Sequence, residues 1–298
     1  MRTYAGGLAA HLSMLLYVLM VSTSFPVGAA ITHALDPVAL SCVRFAMAAV
    51  IFGLLITISR RWRRPGWRDA VRYVLLAGTL VGFFVAMFEA LRLTSTINTS
   101  ALFTLMPLFS VVIALPLLRQ RTPPVQLAFM AIAAFGALWV VFKGSFENAL
   151  ALKLNEGDLI FAAGCVSFAA FAPLARRLDV GENLLTQTFW TLVAGTIMLA
   201  VVGADSLATA SWADIPDYVW LGVAYLAVFT TAVTFYLLTY SSQRLPAAKV
   251  MSYYYLTPAF VMVLETVSSG VAPAGIILIG AGIAILATLL LQISTTAK

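Results

Sequence analysis

The sequence predicts an all-α integral membrane protein of ten transmembrane helices, arranged as two five-helix repeats of inverted topology. Three observations predict this fold class: a very apolar composition, ten apolar segments of membrane-spanning length, and an internal repeat. The chain has 298 residues, of which 62% are hydrophobic and only 10% are charged. Because a soluble domain is about 25% charged, one globular core does not account for this balance.

The ten apolar segments use most of the chain. Crossing a hydrocarbon core of about 30 Å takes roughly 20 apolar residues per helix. The segments are 9–33, 38–58, 71–92, 96–118, 124–142, 157–175, 184–203, 217–240, 247–268 and 274–293. The loops between them are short, so we expect no separate soluble domain.

The first segment follows a single basic residue, Arg2. It is longer than the core of a signal peptide and has no convincing cleavage site, so we expect it to remain as a first span. Cys42 and Cys165 lie singly in spans two and six. No metal or redox pattern surrounds either thiol, so we expect no metal site and no cofactor.

The basic residues predict the orientation. The densest run, "RRWRRPGWRD" from Arg60 to Asp69, lies in the loop between spans two and three. If the N-terminus is cytoplasmic, fourteen basic residues lie inside and three outside, which agrees with the positive-inside rule. We therefore expect both termini in the cytoplasm, and we interpret the net charge of +6 as a topology signal, with no nucleic-acid partner.

The internal repeat is clearest in two hairpins. "FEALRLTSTINTSALFTLMPLFSVVIALPLL" starts at Phe88 and "TYSSQRLPAAKVMSYYYLTPAFVMVLETVSS" starts at Thr239. A shift of 151 residues places Pro107 on Pro258, and each copy holds five spans. Because five is odd, the second copy enters the membrane inverted, which is a common transporter plan. We predict one repeat at 1–145 (helices 1–5) and a second at 155–296 (helices 6–10).

Four prolines occupy matched places in the two copies. Pro107 and Pro258 each lie roughly 17 Å into their spans, close to the midplane. Pro26 lies in the outer third of span one and Pro173 in the inner third of span six, as inversion of the second copy predicts. Proline kinks a helix and frees a carbonyl, which in lipid needs a partner or a water-lined cavity. We expect these helix breaks to line and gate a cavity.

By these features the chain resembles the EamA-type exporters of the drug/metabolite transporter superfamily. "TSFPVGAAITHALDPVALSCVRFAMAAVIF" is similar to the first two spans of that family, and "LPAAKVMSYYYLTPAFVMVLE" to the hairpin of its second copy. The usual Gly-Glu after span four is replaced by "LLRQRTPP". Within the family, the resemblance is greatest to bacterial exporters of aromatic amino acids. It implies a multi-pass protein of the bacterial cytoplasmic (inner) membrane that carries a small molecule.

The candidate substrate site consists of aromatic, hydroxyl and amide side chains. A zwitterion has no net charge, so hydroxyls, amides and carbonyls at helix breaks can hold its ends while rings cover an apolar side chain. The predicted substrate-binding residues are Ser22, Phe25, Phe83, Asn98, Phe103, Phe168, Phe171, Tyr236, Tyr253 and Tyr254. Further interior hydroxyls are Ser24, Thr230, Thr231 and Thr234.

The stretch "SYYYLTP" raises a specific question, because three phenols precede a proline within a span. Successive helix residues turn by about 100°, so Tyr253, Tyr254 and Tyr255 cannot all face one cavity. Either all three pack between helices, or one or two reach the cavity one turn before Pro258. We favour the second alternative.

Charged residues are few within the spans, and we place none at mid-depth. Arg44, Glu89 and Glu265 are expected near the outer ends of their helices. There Arg44 can pair with Glu89 or Glu265 and help to close the external side, or these charges can simply extend to the interface. An ionisable residue deep in a membrane is usually functional.

We therefore predict an exporter of amino acids, aromatic and other large apolar ones, or of similar metabolites, working by alternating access down the solute gradient. The alternative is a proton-coupled exporter of cationic drugs or other small metabolites on the same fold. No catalytic motif and no phosphate loop is present in the sequence, so we do not predict an enzyme. We favour a monomer in the lipid bilayer.

Overall fold

A computed structural model describes residues 5–119, 123–142, 144–145, 147, 154–242, 244–245, 247–270 and 275–294. Within these ranges the regular secondary structure is entirely helical. The helices of the first half are α1 Ala5–Ile31, α2 Pro37–Ile58, α3 Trp67–Leu93, α4 Thr96–Phe103, α5 Met106–Leu118 and α6 Pro124–Val141.

The second half is divided into more and shorter helices. They are α7 Glu156–Ala169, α8 Phe171–Arg177, α9 Leu184–Val202, α10 Ala204–Thr209, α11 Asp217–Ala227, α12 Thr234–Ser242, α13 Ala247–Ser252, α14 Thr257–Ser269 and α15 Gly275–Ser294. A π-helical segment, Val228–Val233, joins α11 to α12. Two 3₁₀ segments, Trp212–Asp214 and Tyr253–Leu256, precede α11 and α14.

Seven helical stretches of the described residues are long and apolar enough to cross a membrane. They are Gly7–Ile31, Pro37–Ile58, Trp67–Leu93, Thr96–Leu118, Glu156–Arg177, Leu184–Val202 and Asp217–Ser241. Two shorter apolar helices are Pro124–Val140 and Leu278–Leu290. The segment predicted at 247–268 is helical but interrupted at Tyr253–Leu256. The chain is thus an all-helical membrane protein, while the count of ten spans stays a prediction.

Side-chain caps begin several of these helices. The Asp36 carboxylate accepts hydrogen bonds from the backbone amides of Val38 and Ala39 at 2.9 and 3.3 Å, and Pro37 occupies the first turn of α2. Asn155 and Asp158 form a reciprocal capping box at the start of α7. Such caps satisfy amides that have no partner within the helix.

The prolines mark interruptions in the helices. Pro107 is the second residue of α5 and Pro258 the second residue of α14, so both copies of the hairpin break immediately before the matched proline. Pro173 lies in the first turn of α8, after the break at Ala170, whereas Pro26 lies inside the continuous helix α1. Proline is well tolerated in a first turn, where its missing amide hydrogen would have no partner.

Helices of the two halves pack in pairs around one core. Helix α1 packs against α11, α12 and α14, and α3 packs against α7 and α9. Helix α2 packs against α9, α4 against α14, and α6 against α15. The largest cluster of buried apolar side chains joins α1, α3, α4, α7 and the helices from α11 to α14. The core therefore consists of residues from both halves.

The crossing of α6 and α15 depends on two glycines. A Cβ atom added to Gly136 would lie 2.8 Å from the carbonyl oxygen of Gly280, and one added to Gly280 would lie 2.6 Å from that of Gly136. Small residues at such crossings allow two membrane helices to approach closely. A larger side chain at either position would push these helices apart.

Candidate functional site

A cavity of about 220 Å³ lies inside the helix bundle. Its wall combines α1–α4 of the first half with α7, α8, α9, the π-helical segment and α12 of the second. Aromatic rings dominate this wall. They are Tyr17, Phe25, Phe45, Phe83, Phe84, Phe103, Phe168, Phe171 and Phe235.

The rings on one side of the cavity form a continuous stack. The Phe168 ring lies between two others, with its centroid 4.7 Å from that of Phe83 and 6.2 Å from that of Phe171, and both pairs are nearly parallel. Phe25 meets Phe103 edge to face at 5.7 Å. Offset and edge-to-face pairs of this kind hold rings in fixed orientations. The wall is therefore preformed to cover an apolar group.

One charged side chain, Arg44 of α2, lies in the cavity wall among the residues that the structure describes. It is 2% exposed. Its Nη2 donates hydrogen bonds to the hydroxyls of Thr230 at 3.1 Å and Thr231 at 3.3 Å. Its guanidinium carbon lies 4.1 Å from the centroid of the Phe84 ring, which is a cation–π geometry.

The π-helical segment supplies the two hydroxyls that hold Arg44. Thr230 and Thr231 both donate to the carbonyl oxygen of Leu226, at 2.9 and 3.0 Å. Their hydrogens are therefore used, and each oxygen presents a lone pair to Arg44. The wider turn lets two consecutive threonines serve the same guanidinium, and single π turns inside α-helices are frequent at functional sites.

Two polar atoms in the wall have no hydrogen-bond partner within the described part of the chain. They are Nη1 of Arg44 and Oγ1 of Thr191, and both residues are 2% exposed. Buried polar atoms normally find a partner, so each such atom calls for an explanation. Both residues line the same cavity.

Half of the predicted substrate-binding residues lie in this wall. These are Phe25, Phe83, Phe103, Phe168 and Phe171. The interior hydroxyls of Ser24, Thr230, Thr231 and Thr234 also line the cavity.

Three of the other predicted residues lie outside the cavity wall. Ser22 is fully buried and donates to the Val18 carbonyl oxygen at 2.7 Å. The Asn98 amide donates to the Asp158 carboxylate at 3.2 Å. Tyr236 is 66% exposed and belongs to a different pocket. Helical rotation turns these side chains away from the central cavity.

The tyrosine stretch forms a 3₁₀ turn whose three side chains pack between helices. The Tyr253 hydroxyl lies 2.6 Å from Nδ1 of His11, and the Tyr254 hydroxyl lies 2.7 Å from that of Tyr17. Tyr255 is buried beside Met130 of α6. None of the three lines the cavity, so the alternative that we favoured for Tyr253 and Tyr254 is corrected. Tyr254 contacts the wall residue Tyr17 through this hydroxyl pair.

The expected outer charge cluster is also corrected. Arg44 turns inward to the hydroxyls of the π-helical segment, and among the described residues no ion pair joins it to Glu89 or Glu265. Glu89 pairs instead with Arg92 at 3.3 Å, and Glu265 accepts a hydrogen bond from Thr96 at 2.8 Å. A guanidinium within reach of two hydroxyls and an aromatic face does not have to extend to the interface.

Two buried polar groups were missed from the sequence. Arg72 and Tyr73 of α3 both bond the carboxylate of Glu182, which precedes α9. Their separation by about 110 residues leaves no local pattern that could have predicted the pair. Asp158, by contrast, is 2% exposed and could have been predicted, because Asn155-x-x-Asp158 is a capping-box spacing.

A second cavity adjoins the first, and we call it the vestibule. Its wall includes Ser59 and Arg61 after α2, Glu182 before α9, and Tyr236 of α12. Leu184 and Phe235 line both cavities. These two side chains therefore form the partition between the vestibule and the central cavity.

Comparisons with known proteins place the chain in a transporter family. The model of the EamA-like transporter family matches residues 8–142 and again residues 155–293. An uncharacterized transporter of Bacillus subtilis, YyaM, is 27% identical over 263 residues, with 86% of each chain covered. A probable terminal-alkyne amino-acid exporter of Streptantibioticus cattleyicolor is 25% identical over 241 residues, covering 79% of this chain and 77% of that one.

A solved crystal structure shares the fold. It superposes with a TM-score of 0.70 at 20% sequence identity and covers 98% of each chain. Since the two family matches together span nearly the whole chain, this protein belongs to the EamA-like transporter family.

Proposed function

We propose that this transporter exports amino acids with aromatic or other large apolar side chains, or similar metabolites, by alternating access. The cytoplasmic membrane of a bacterium is the proposed location, with both termini in the cytoplasm and a monomer as the working unit. The solute moves down its own gradient. The observation that carries the proposal is the central cavity, because its aromatic wall is shared by both halves of the chain.

The size and chemistry of the cavity favour a small, partly apolar solute. Its volume of about 220 Å³ is below the roughly 300–1,000 Å³ of sites for drug-sized ligands. Stacked rings, notably Phe168 between Phe83 and Phe171, suit an apolar side chain. The amino-acid exporter among the relatives supports this choice of solute.

The pairing of helices supports two inverted repeats as the basis of alternating access. Under the predicted symmetry the third span of one half packs with the first span of the other, as α3 does with α7 and α12 does with α1. The second spans pair as α2 and α9, and the fifth as α6 and α15. Rocking of such halves about a central site would expose it alternately to each side.

The vestibule supports entry of solute from the cytoplasm. It lies where α2 ends and α9 begins, beside the basic loop that the positive-inside rule places inside. A solute would pass the partition of Leu184 and Phe235 to reach the rings. This conformation fits the loading state of an exporter.

Cationic drugs fit the cavity less well. Arg44 would repel a cation, and no carboxylate lines the cavity in the residues that the structure describes. The buried carboxylate of Asp158 caps α7 and accepts from Thr94 and Asn98, so its bonds are used for structure. This arrangement supports transport without a proton partner.

Counterflow in liposomes that contain the purified protein tests the proposal. We expect saturable exchange of labelled Phe, Trp and Met that is the same with and without an imposed pH gradient. Phe168→Ala should raise KM about 2- to 10-fold, since it removes a ring worth roughly 0.5–1.5 kcal/mol. Phe135→Ala is the matched control, because Phe135 is 50% exposed and lies outside the cavity.

Three results would contradict parts of this proposal. Exchange that requires the pH gradient would overturn transport down the solute gradient alone. No exchange of any amino acid under either condition would overturn the solute assignment. Equal effects of Phe168→Ala and Phe135→Ala would remove the central cavity as the site.

A further inference from the structure

The guanidinium of Arg44 has a buried donor atom, Nη1, without a hydrogen-bond partner among the described residues, and this suggests what the solute contains. One edge of its guanidinium is occupied, because Nη2 donates to Thr230 and Thr231. The Nη1 atom is buried without a partner among the described residues. Since Arg is always charged and its donors form a planar fork, a buried Arg needs acceptors in a matching plane.

Within the part of the chain that the structure describes, no negative charge lies against Arg44. Among the described residues of the cavity wall there is no carboxylate. Burying an ion without a counter-ion is unfavourable, and hydroxyls and a ring face offset only part of that penalty. An anionic group on a bound molecule would complete the site.

Thr191 provides an independent second observation. On the same helix, the hydroxyl of Thr196 donates to the carbonyl oxygen of Leu192 at 2.8 Å, as threonines within helices commonly do. The Thr191 hydroxyl has no such partner among the described residues, although Thr191 is only 2% exposed and lines the cavity. Its hydrogen is therefore available to an acceptor in the cavity.

We propose that Arg44 and Thr191 form an anion subsite that binds the carboxylate of the transported solute. This inference rests on the proposed function and names its substrate class: small carboxylates with an aromatic or apolar body. Nη1 of Arg44 can donate to one oxygen of a planar carboxylate and the Thr191 hydroxyl can donate to the other, and the charge strengthens both bonds. One Arg in an aromatic cavity suits a single negative charge, whereas a phosphate ester would require more donors.

The subsite predicts that the carboxylate, and not the amino group, is the recognised end of an amino acid. No acidic group faces the cavity within the described residues to hold an ammonium. A solute that keeps the carboxylate and lacks the amine should therefore bind. A solute that keeps the amine and lacks the carboxylate should not.

Ligand-induced thermal stabilisation of the purified protein in detergent tests this without requiring transport. The probes are 3-phenylpropionate, L-phenylalanine and phenethylamine. We expect the first two to raise Tm and the third to leave it unchanged. Comparable stabilisation by phenethylamine would overturn the proposal.

Four variants locate the subsite. Arg44→Met should weaken binding of 3-phenylpropionate at least about 10-fold, and Thr191→Val about 3- to 10-fold, from the usual strength of charged and neutral hydrogen bonds. Arg92→Met and Thr196→Val are matched controls outside the cavity, and both should bind as the unmodified protein does. Binding of unchanged strength in Arg44→Met would overturn the proposal.

Stability separates recognition from a structural role of Arg44. Arg44→Met removes a buried charge without a counter-ion together with its bonds to Thr230 and Thr231, so the two effects offset and the Tm of the ligand-free protein should change little. A purely structural Arg44 would lower the Tm clearly when it is removed. If Arg44→Met does not fold, Thr191→Val decides, because it is nearly isosteric and breaks no bond.

The two proposals fail separately. Carboxylate binding without any amino-acid counterflow would leave the subsite in place and overturn the proposed function. Amino-acid counterflow that phenethylamine inhibits as well as 3-phenylpropionate does would overturn the subsite alone.

Discussion

Two arginines of the first half are buried to a similar degree and have opposite surroundings. Arg44 is 2% exposed and Arg72 is 6% exposed. Arg72 lies against the carboxylate of Glu182, which Tyr73 also bonds at 2.6 Å. Among the described residues, the acceptors of Arg44 are the neutral hydroxyls of Thr230 and Thr231, and its Nη1 has no acceptor.

The difference shows how the same residue type can serve structure or binding. A buried ion pair is complete without any ligand, so removal of one partner leaves a charge unpaired. A buried cation without a counter-ion is incomplete until an anion arrives. Even Arg72 has an unpartnered atom, its Nε, but its charge is balanced and it lies outside the central cavity.

The largest effect is expected at the paired arginine. Glu182→Ala leaves Arg72 with the more distant carboxylate of Asp69, 3.7 Å from Nη2, so the free energy of unfolding should fall toward the lower end of about 3–5 kcal/mol. Unfolding of the purified protein in detergent measures this. Glu89→Ala is the matched control, since its pair with Arg92 is 39% exposed on both sides and should contribute only about 0–1 kcal/mol. Similar losses in the two variants would refute the distinction.

A carboxylate introduced beside Arg44 should balance its charge, as Glu182 balances the charge of Arg72. In Thr230→Asp the new acid occupies the place of a hydroxyl that lies 3.1 Å from Nη2. We expect Tm of the ligand-free protein to rise and affinity for 3-phenylpropionate to fall at least about 10-fold, because the charge is already balanced. Thr230→Asn, which adds no charge, is the control for size. Undiminished carboxylate binding in the Asp variant would show that Arg44 is not the anchor.

The smallest effect is expected from loss of one hydroxyl. Thr231→Val removes one acceptor from Nη2, while Thr230 retains its bond. The lost bond is charge-assisted, but Thr231 acts by positioning Arg44 and Thr230 still holds Nη2, so KM in counterflow should rise only about 2- to 10-fold. Thr266→Val is the control, because Thr266 bonds only the Met262 carbonyl oxygen and lies outside the cavity. If KM rises as much as in Arg44→Met, Thr231 does more than position Arg44 and itself contributes to substrate binding.

Much of the scaffold could be predicted because its signals are local. Long apolar runs mark the helices, and Pro107 and Pro258 each lie at the second position of a new helix, as their matched spacing indicates. The cluster of Phe25, Phe83 and Phe103 could also be predicted, since interior rings in the central spans have few other places to lie.

The sequence does not predict in the same way which side chains point into the cavity and which point away from it. Helix α2 is apolar on all sides, so periodicity does not show which side faces a cavity. The inward turn of Arg44 depends on a π-helical segment whose wider turn has no simple sequence signal. The partner of Arg72 lies on a loop far along the chain, and only tertiary packing brings it near.

The position of Arg44 has a consequence for how the protein is made. Its hydroxyl partners are synthesised 186 and 187 residues later. Translocon insertion of a helix with one central Arg costs roughly 2.5–3.5 kcal/mol. Helix α2 therefore has to partition into the bilayer on the strength of its own apolar residues, with the ring of Phe84 as the first partner to be synthesised. The apolar residues of α2 thus have to offset the cost of inserting Arg44 before the second half of the protein is synthesised.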